Sequence, residues 1–271
     1  MEQDTESRQE GAWAQPYSLV SGDTRYHELG HVQLWVTLLD LEWQVRVRNL
    51  EARGDPSSWI AETSHVLPSP DVPLQRFVRA DRNDGTLTLI PAMADLPTVI
   101  RPFQPLTIPA GARCVIYVGT TVWMKICAGG AEGSVLTEVP LSTPLLTWVG
   151  GNTMEGELCY SSSSFARLVL EAVPKRPWRA VTPVTIINGR SEPLLLERFN
   201  LPTPMLSLYR NEKGQLWTPG VTVECETDMT SAILRVEQGL HPAAGDCQKV
   251  GNAREVASRG RLVRAFDRMF G

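Results

Sequence analysis

The sharpest chemical pattern in the chain is His27-Glu28-Leu29-Gly30-His31, a formal H-E-x-x-H. On a helix, imidazoles at i and i+4 share one face and can bind zinc, while the glutamate activates the metal-bound water. The spacing of His27, His31, Leu34, Leu38, Leu41 and Val45 permits that helical reading. The neighbouring residues argue against it. Positions 32–48 are dense in Val, Trp and Thr and alternate as strands do. Leu34 and Thr37 stand where a metzincin extension needs Gly and His. Glu51, the candidate third ligand, lies beside the turn residues Arg53-Gly54-Asp55. The expectation is that Gly30 turns, His31 opens a strand and the ring nitrogens do not converge. A zinc-dependent hydrolase using His27, Glu28 and His31 is the alternative.

Other reactive residues form weaker patterns. Ser161-Ser162-Ser163-Ser164 lacks a G-x-S-x-G context and reads as a loop or strand end. His65 and His241 lie beside prolines or loop residues. Five cysteines, Cys114, Cys127, Cys159, Cys225 and Cys247, show no C-x-x-C spacing. The first four sit in strand-like runs, as reduced core cysteines do. No phosphate-binding or dinucleotide-binding glycine pattern is present. No cofactor and no catalytic residue is implied. Trp35, Trp43, Trp123, Trp148 and Trp217 also fall in strand-like runs, so core packing is expected of them, with an aromatic ligand floor as the alternative.

The elements that must position these residues are short apolar runs separated by Gly, Pro, Asn and Asp, the signature of an all-β chain. Val32–Leu38 alternates, Asp40-Leu41 offers a turn, and Trp43, Val45 and Val47 alternate with Gln44, Arg46 and Arg48. This predicts a hairpin with one wet face. Asn83-Asp84-Gly85 marks a turn into Thr86–Ile90. Cys114–Val118 and Val122–Ile126 are continuously apolar, like sandwich-core strands. Strands are also expected at Glu157–Ser161 and Arg167–Ala172. After Pro174-Lys175-Arg176-Pro177, the best linker, a second β set runs from Val184 to Val236.

The last segment differs. From Gly251 to Gly271 no proline intervenes, and Leu262, Val263, Phe266, Met269 and Phe270 fall on one side of a helical projection. Arg254, Arg261, Arg264 and Arg268 fall on the other. An amphipathic helix is expected, either packed on the core or docking on a partner or anionic surface through these arginines.

The chain has 271 residues and a net charge of −4, without the basic footprint of a nucleic-acid binder. No apolar stretch reaches the length of a membrane span. The N-terminal residues Glu2, Asp4, Glu6 and Glu10 are the opposite of a signal peptide's basic region, so a cytoplasmic location is expected.

Several segments resemble a known family. They are Leu141-Ser142, Thr147-Trp148-Val149-Gly150, Gly156-Glu157-Leu158-Cys159-Tyr160, Thr182-Pro183-Val184-Thr185-Ile186-Ile187-Asn188, Leu196-Glu197-Arg198-Phe199 and Leu206-Ser207-Leu208-Tyr209. With Leu29-Gly30-His31-Val32-Gln33-Leu34-Trp35-Val36, they resemble domain of unknown function family 432 over about Trp13 to Thr227. The resemblance carries no established activity or catalytic residue. It implies work near a membrane-channel protein, since some members are encoded beside small-conductance mechanosensitive channels.

The expected architecture is all-β, with two sandwich-like lobes and a C-terminal amphipathic helix. Its expected parts are an acidic tail over 1–11, lobes over 12–175 and 176–250, and the helix over 251–271. The expected role is a non-enzymatic binding or regulatory module for a protein partner, with no nucleic acid and no transmembrane segment.

Overall fold

The computed structural model describes residues 9–50, 56–64, 68–79, 85–150, 156–161, 164–225, 232–256 and 262–263. Their regular structure is all β apart from three short 3-10 turns. Contacts gather the chain into two units. The first comprises 1–91, 123–143 and 176–178, and the second comprises 92–122, 144–175 and 179–271. Both are assembled from separated segments, whereas the expected lobes 12–175 and 176–250 are each continuous. Strand pairing over long sequence separations, not the proline-rich linker, sets this division.

The first unit holds two sheets. One runs in the order Gln9–Glu10, Trp59–Thr63, Thr24–Leu29, Val32–Leu38, Glu42–Asn49, Leu74–Val78. The other runs Ser134–Pro140, Trp123–Ala128, Thr86–Ala92, Pro16–Ser18. The expected hairpin is present, in register from Val32↔Asn49 to Leu38↔Trp43. Period-two alternation explains its register: Leu34, Val36, Trp43 and Val45 are buried, and Gln33, Gln44 and Arg46 are half-buried. Tyr17, from the second sheet, meets His27, from the first, edge-on at 5.1 Å. The late segment 176–178 closes this unit. Trp178 is fully buried and donates its indole N–H to Pro56 O at 2.8 Å, while Trp13 donates to Pro177 O at 2.6 Å.

The second unit centres on Arg179–Asn188. That strand pairs antiparallel with Arg113–Thr121 along one edge. Along the other it pairs parallel with Leu216–Trp217 and then Val221–Cys225. Almost all of its residues are buried, as expected for a strand covered on both faces. Pro183, unusual inside a central strand, falls at the break between the two parallel partners. A separate four-stranded sheet runs Leu145–Gly150, Gly156–Ser161, Thr98–Ile100, Phe199–Leu201.

Two expectations are corrected here. Arg167–Ala172 is not one strand: Phe165–Arg167 is a strand and Leu170–Ala172 a 3-10 turn. A continuous helix over 251–271 is also not what the described part shows. Gly251 ends the Cys247–Gly251 strand, paired with Leu208, and Leu262–Val263 pair with Ala232 and Ile233. Residues 257–261 and 264–271 lie outside the described residues.

Candidate functional site

The H-E-x-x-H resolves into a strand and a turn. His27 and Glu28 are successive residues of Thr24–Leu29, so they point to opposite faces. His27 faces the core, fully buried between Tyr17 and Trp59, and its Nδ1 accepts the indole N–H of Trp59 at 3.2 Å. Burial, reinforced by nearby Arg25, pushes its pKa down to about 3. Glu28 is taken up on the other face, accepting from Tyr26 Oη at 2.6 Å and Gln33 Nε2 at 2.9 Å. Gly30 and His31 form the two-residue turn between Leu29 and Val32. Gly30 has φ +60°, as the first position of a II′ hairpin turn requires. His31 lies edge-on to Trp178 at 5.3 Å. His31 is therefore a turn residue rather than the first residue of the strand. The zinc-hydrolase alternative has no geometry behind it: among the described residues no three His, Cys, Asp or Glu side chains are grouped to hold a metal ion.

The cysteines are free thiols. Cys127, Cys159 and Cys225 are buried, and desolvation raises their pKa, to about 12 for Cys159 and about 11 for Cys225. A thiol held protonated is a poor nucleophile. Ser161 lies in a strand and accepts from Arg101 Nη1 at 3.2 Å. His241 Nδ1 accepts the Ala243 N–H at 3.2 Å, capping a 3-10 turn. Of the four arginines expected to bind a partner, Arg254 is tied into the second unit: its Nε donates to Met93 O at 2.7 Å. Arg261, Arg264 and Arg268 lie outside the described residues.

The surface that stands out belongs to the four-stranded sheet of the second unit. Leu145–Gly150 is its edge strand, in register with Gly156–Ser161 through Leu146↔Tyr160 and Trp148↔Leu158. Pleating puts these four side chains on one face and Thr147, Val149, Cys159 and Glu157 on the other. The second face is core-directed where Val149 and Cys159 pack with Val99. The first is open: Leu146, Trp148 and Leu158 are 62%, 48% and 41% exposed. The strand Leu145–Gly150 carries no charge and no proline, the usual guards of an edge. A Cβ on Gly156 would lie 2.5 Å from the Trp148 indole, so a larger residue there would force the ring to move.

Beside the hairpin lies a cavity of about 340 Å³, lined by Asp95, Pro97, Glu157, Leu158, Met205 and Glu255 among others. Asp95 accepts from Tyr160 Oη at 3.0 Å. Burial and then this carboxylate raise the Tyr160 phenol to about 12. The cavity thus combines apolar walls with three carboxylates. The sequence pattern placed Trp148 with the core tryptophans. Its only local distinction is the charge-free edge strand that carries it. Trp43 and Trp217 do pack as core.

Among the described residues no helix is long and apolar enough to cross a membrane. No curated protein and no solved structure matches the chain. One family profile, described as a protein of unknown function (DUF432), matches residues 13–270. That span takes in both units and the open hairpin, and the chain belongs to the DUF432 family.

Proposed function

We propose that this protein is a non-enzymatic binding module and that the paired strands Leu145–Gly150 and Gly156–Ser161 hold an extended segment of a partner protein. The open apolar face of an uncharged edge strand carries this reading. An extended peptide can add to such an edge through main-chain hydrogen bonds, with alternate side chains read by the exposed face. Asp95 at the adjoining cavity favours basic residues in that segment. The preferred ligand is therefore apolar with flanking Lys or Arg. Arg261, Arg264 and Arg268 form a second proposed contact, for acidic stretches of the same partner, while Arg254 serves the fold. A membrane-channel-associated protein, the kind of partner to which the resemblance points, is a candidate source of such a segment.

The test is selection from a displayed random-peptide library on the full chain and on Trp148→Ser/Leu158→Ser. Enrichment of apolar-basic sequences that the double variant binds at least tenfold more weakly supports the proposal. No enrichment, or enrichment that the variant retains, overturns it. Light scattering provides a separate reading: a dimer abolished by the double variant would mean that a second copy, not a partner, covers the hairpin.

A further inference from the structure

The first unit carries a half-buried cation at the solvent end of a row that is otherwise apolar. Arg25 pairs with Thr63 on one side and Val36 on the other, in the row that continues to Val45. Val36 and Val45 are fully buried while Thr63 is exposed, so Arg25 sits half-buried where the inner face of the sheet opens to solvent. Inward charges often guard the edge of a sheet, but Thr24–Leu29 lies inside the six-strand order. Edge protection does not account for Arg25.

Its guanidinium is half-satisfied. Nη1 donates to Thr63 Oγ1 at 3.2 Å and Nη2 to Gln9 Oε1 at 3.4 Å, both neutral acceptors. Nε is buried and has no partner. The Tyr17 ring lies 4.6 Å from Cζ. No carboxylate of the described residues forms an ion pair with it. Burial lowers the pKa of the group, although the negative charge of Glu62 partly offsets this from a distance. A cavity of about 230 Å³ opens beside it, lined mainly by polar groups that include Ser18, Thr24, Thr63, Gln15 and Asp23. Asp23 already accepts the Val20 N–H at 2.9 Å, and Thr24 is bonded to Thr37. Glu62 neighbours Thr63 in its strand and so faces the other way.

We propose that this cavity is a binding site for a small monocarboxylate, with Arg25 as the group that recognises it. A guanidinium presents its N–H groups in a fork matched to a carboxylate, and Ser18 and Thr63 add hydroxyls at the rim. The cavity is smaller than the usual pocket for a cofactor-sized ligand. Asp23 at its wall repels a dianion, which selects against phosphate and dicarboxylates. The site is independent of the hairpin proposed to dock a partner.

The experiment follows the Arg25 Nε–H resonance and the melting temperature of the ¹⁵N-labelled full chain during titration with acetate, propionate, succinate and inorganic phosphate. Saturable movement of that resonance by acetate or propionate, with a raised melting temperature, is the expected result. Arg25→Gln weakens this binding roughly 10- to 100-fold, the range for a lost charged hydrogen bond. Arg25→Lys, which keeps the charge without the fork, falls between them. If Arg25→Gln fails to fold, Thr63→Val and the wild-type titration decide the matter. An unmoved Nε–H resonance at millimolar monocarboxylate overturns the proposal, as does tighter binding of phosphate or succinate than of acetate.

Discussion

His27 shows how one buried side chain can set the acid limb of stability. In the unfolded chain its pKa is near 6.5, and in the fold burial holds it near 3. The neutral ring's contribution is complete above pH 6.5. It is lost as pH falls from there toward 3, because only the unfolded state takes up the proton. The slope approaches about 1.4 kcal/mol per pH unit, so about 2 kcal/mol is gone by pH 5. Urea unfolding of wild type and His27→Leu across pH 7 to 4.5 checks this. The variant is less stable at neutral pH, since Trp59 loses its acceptor, but its decline with acid is shallower by that amount. Equal slopes would show that His27 does not govern the limb. Asn188 acts at the same scale without charge. It is fully buried, its Nδ2 lies 2.9–3.1 Å from the carbonyls of Ile108, Pro109 and Glu192, and its Oδ1 accepts the Arg190 N–H. Asn188→Leu strands those groups, and a loss of about 2–4 kcal/mol in chemical denaturation is expected.

At the scale of elements, the turn between Leu29 and Val32 depends on Gly30. Its φ of +60° is strained for any L side chain, and a Cβ there would lie 2.8 Å from Leu141 O and 3.2 Å from the Trp178 ring. Gly22 has φ +98° and open space around it. Gly30→Ala should therefore cost about 2–4 kcal/mol and Gly22→Ala only about 1 kcal/mol. Comparable midpoints for the two variants would remove the packing argument and leave backbone strain alone. These elements also show where sequence reading works. Val32–Leu38 and Glu42–Asn49 were legible because alternating burial writes a period of two into the residues. The strand Thr24–Leu29 was not, because Thr-Arg-Tyr-His-Glu-Leu places a buried histidine and an inward arginine where apolar residues would signal a strand. Likewise the open face of the Trp148 hairpin depends on what lies against it, which no local pattern records.

For the whole molecule, the decisive fact is that each unit is built from pieces far apart in sequence. The proline-rich segment reads as a linker, yet Arg176–Trp178 belong to the first unit and Arg179–Asn188 to the core of the second. Local composition cannot reveal this, because the pairing that decides it is nonlocal. A fragment ending at Lys175, the natural cut from sequence, would lose Trp178 and with it the hydrogen bonds from Trp13 to Pro177 O and from Trp178 to Pro56 O. It would also expose Arg113–Thr121, which pairs along its whole length with Arg179–Asn188. A long unpaired apolar edge invites aggregation. Residues 1–175 alone are thus expected to aggregate or to lack a cooperative urea transition, and Trp178→Ala in the full chain to cost about 3–5 kcal/mol. A soluble 1–175 fragment with dispersed amide resonances and a sharp transition would mean that the first unit does not need its late segment, and that the chain divides in sequence order after all.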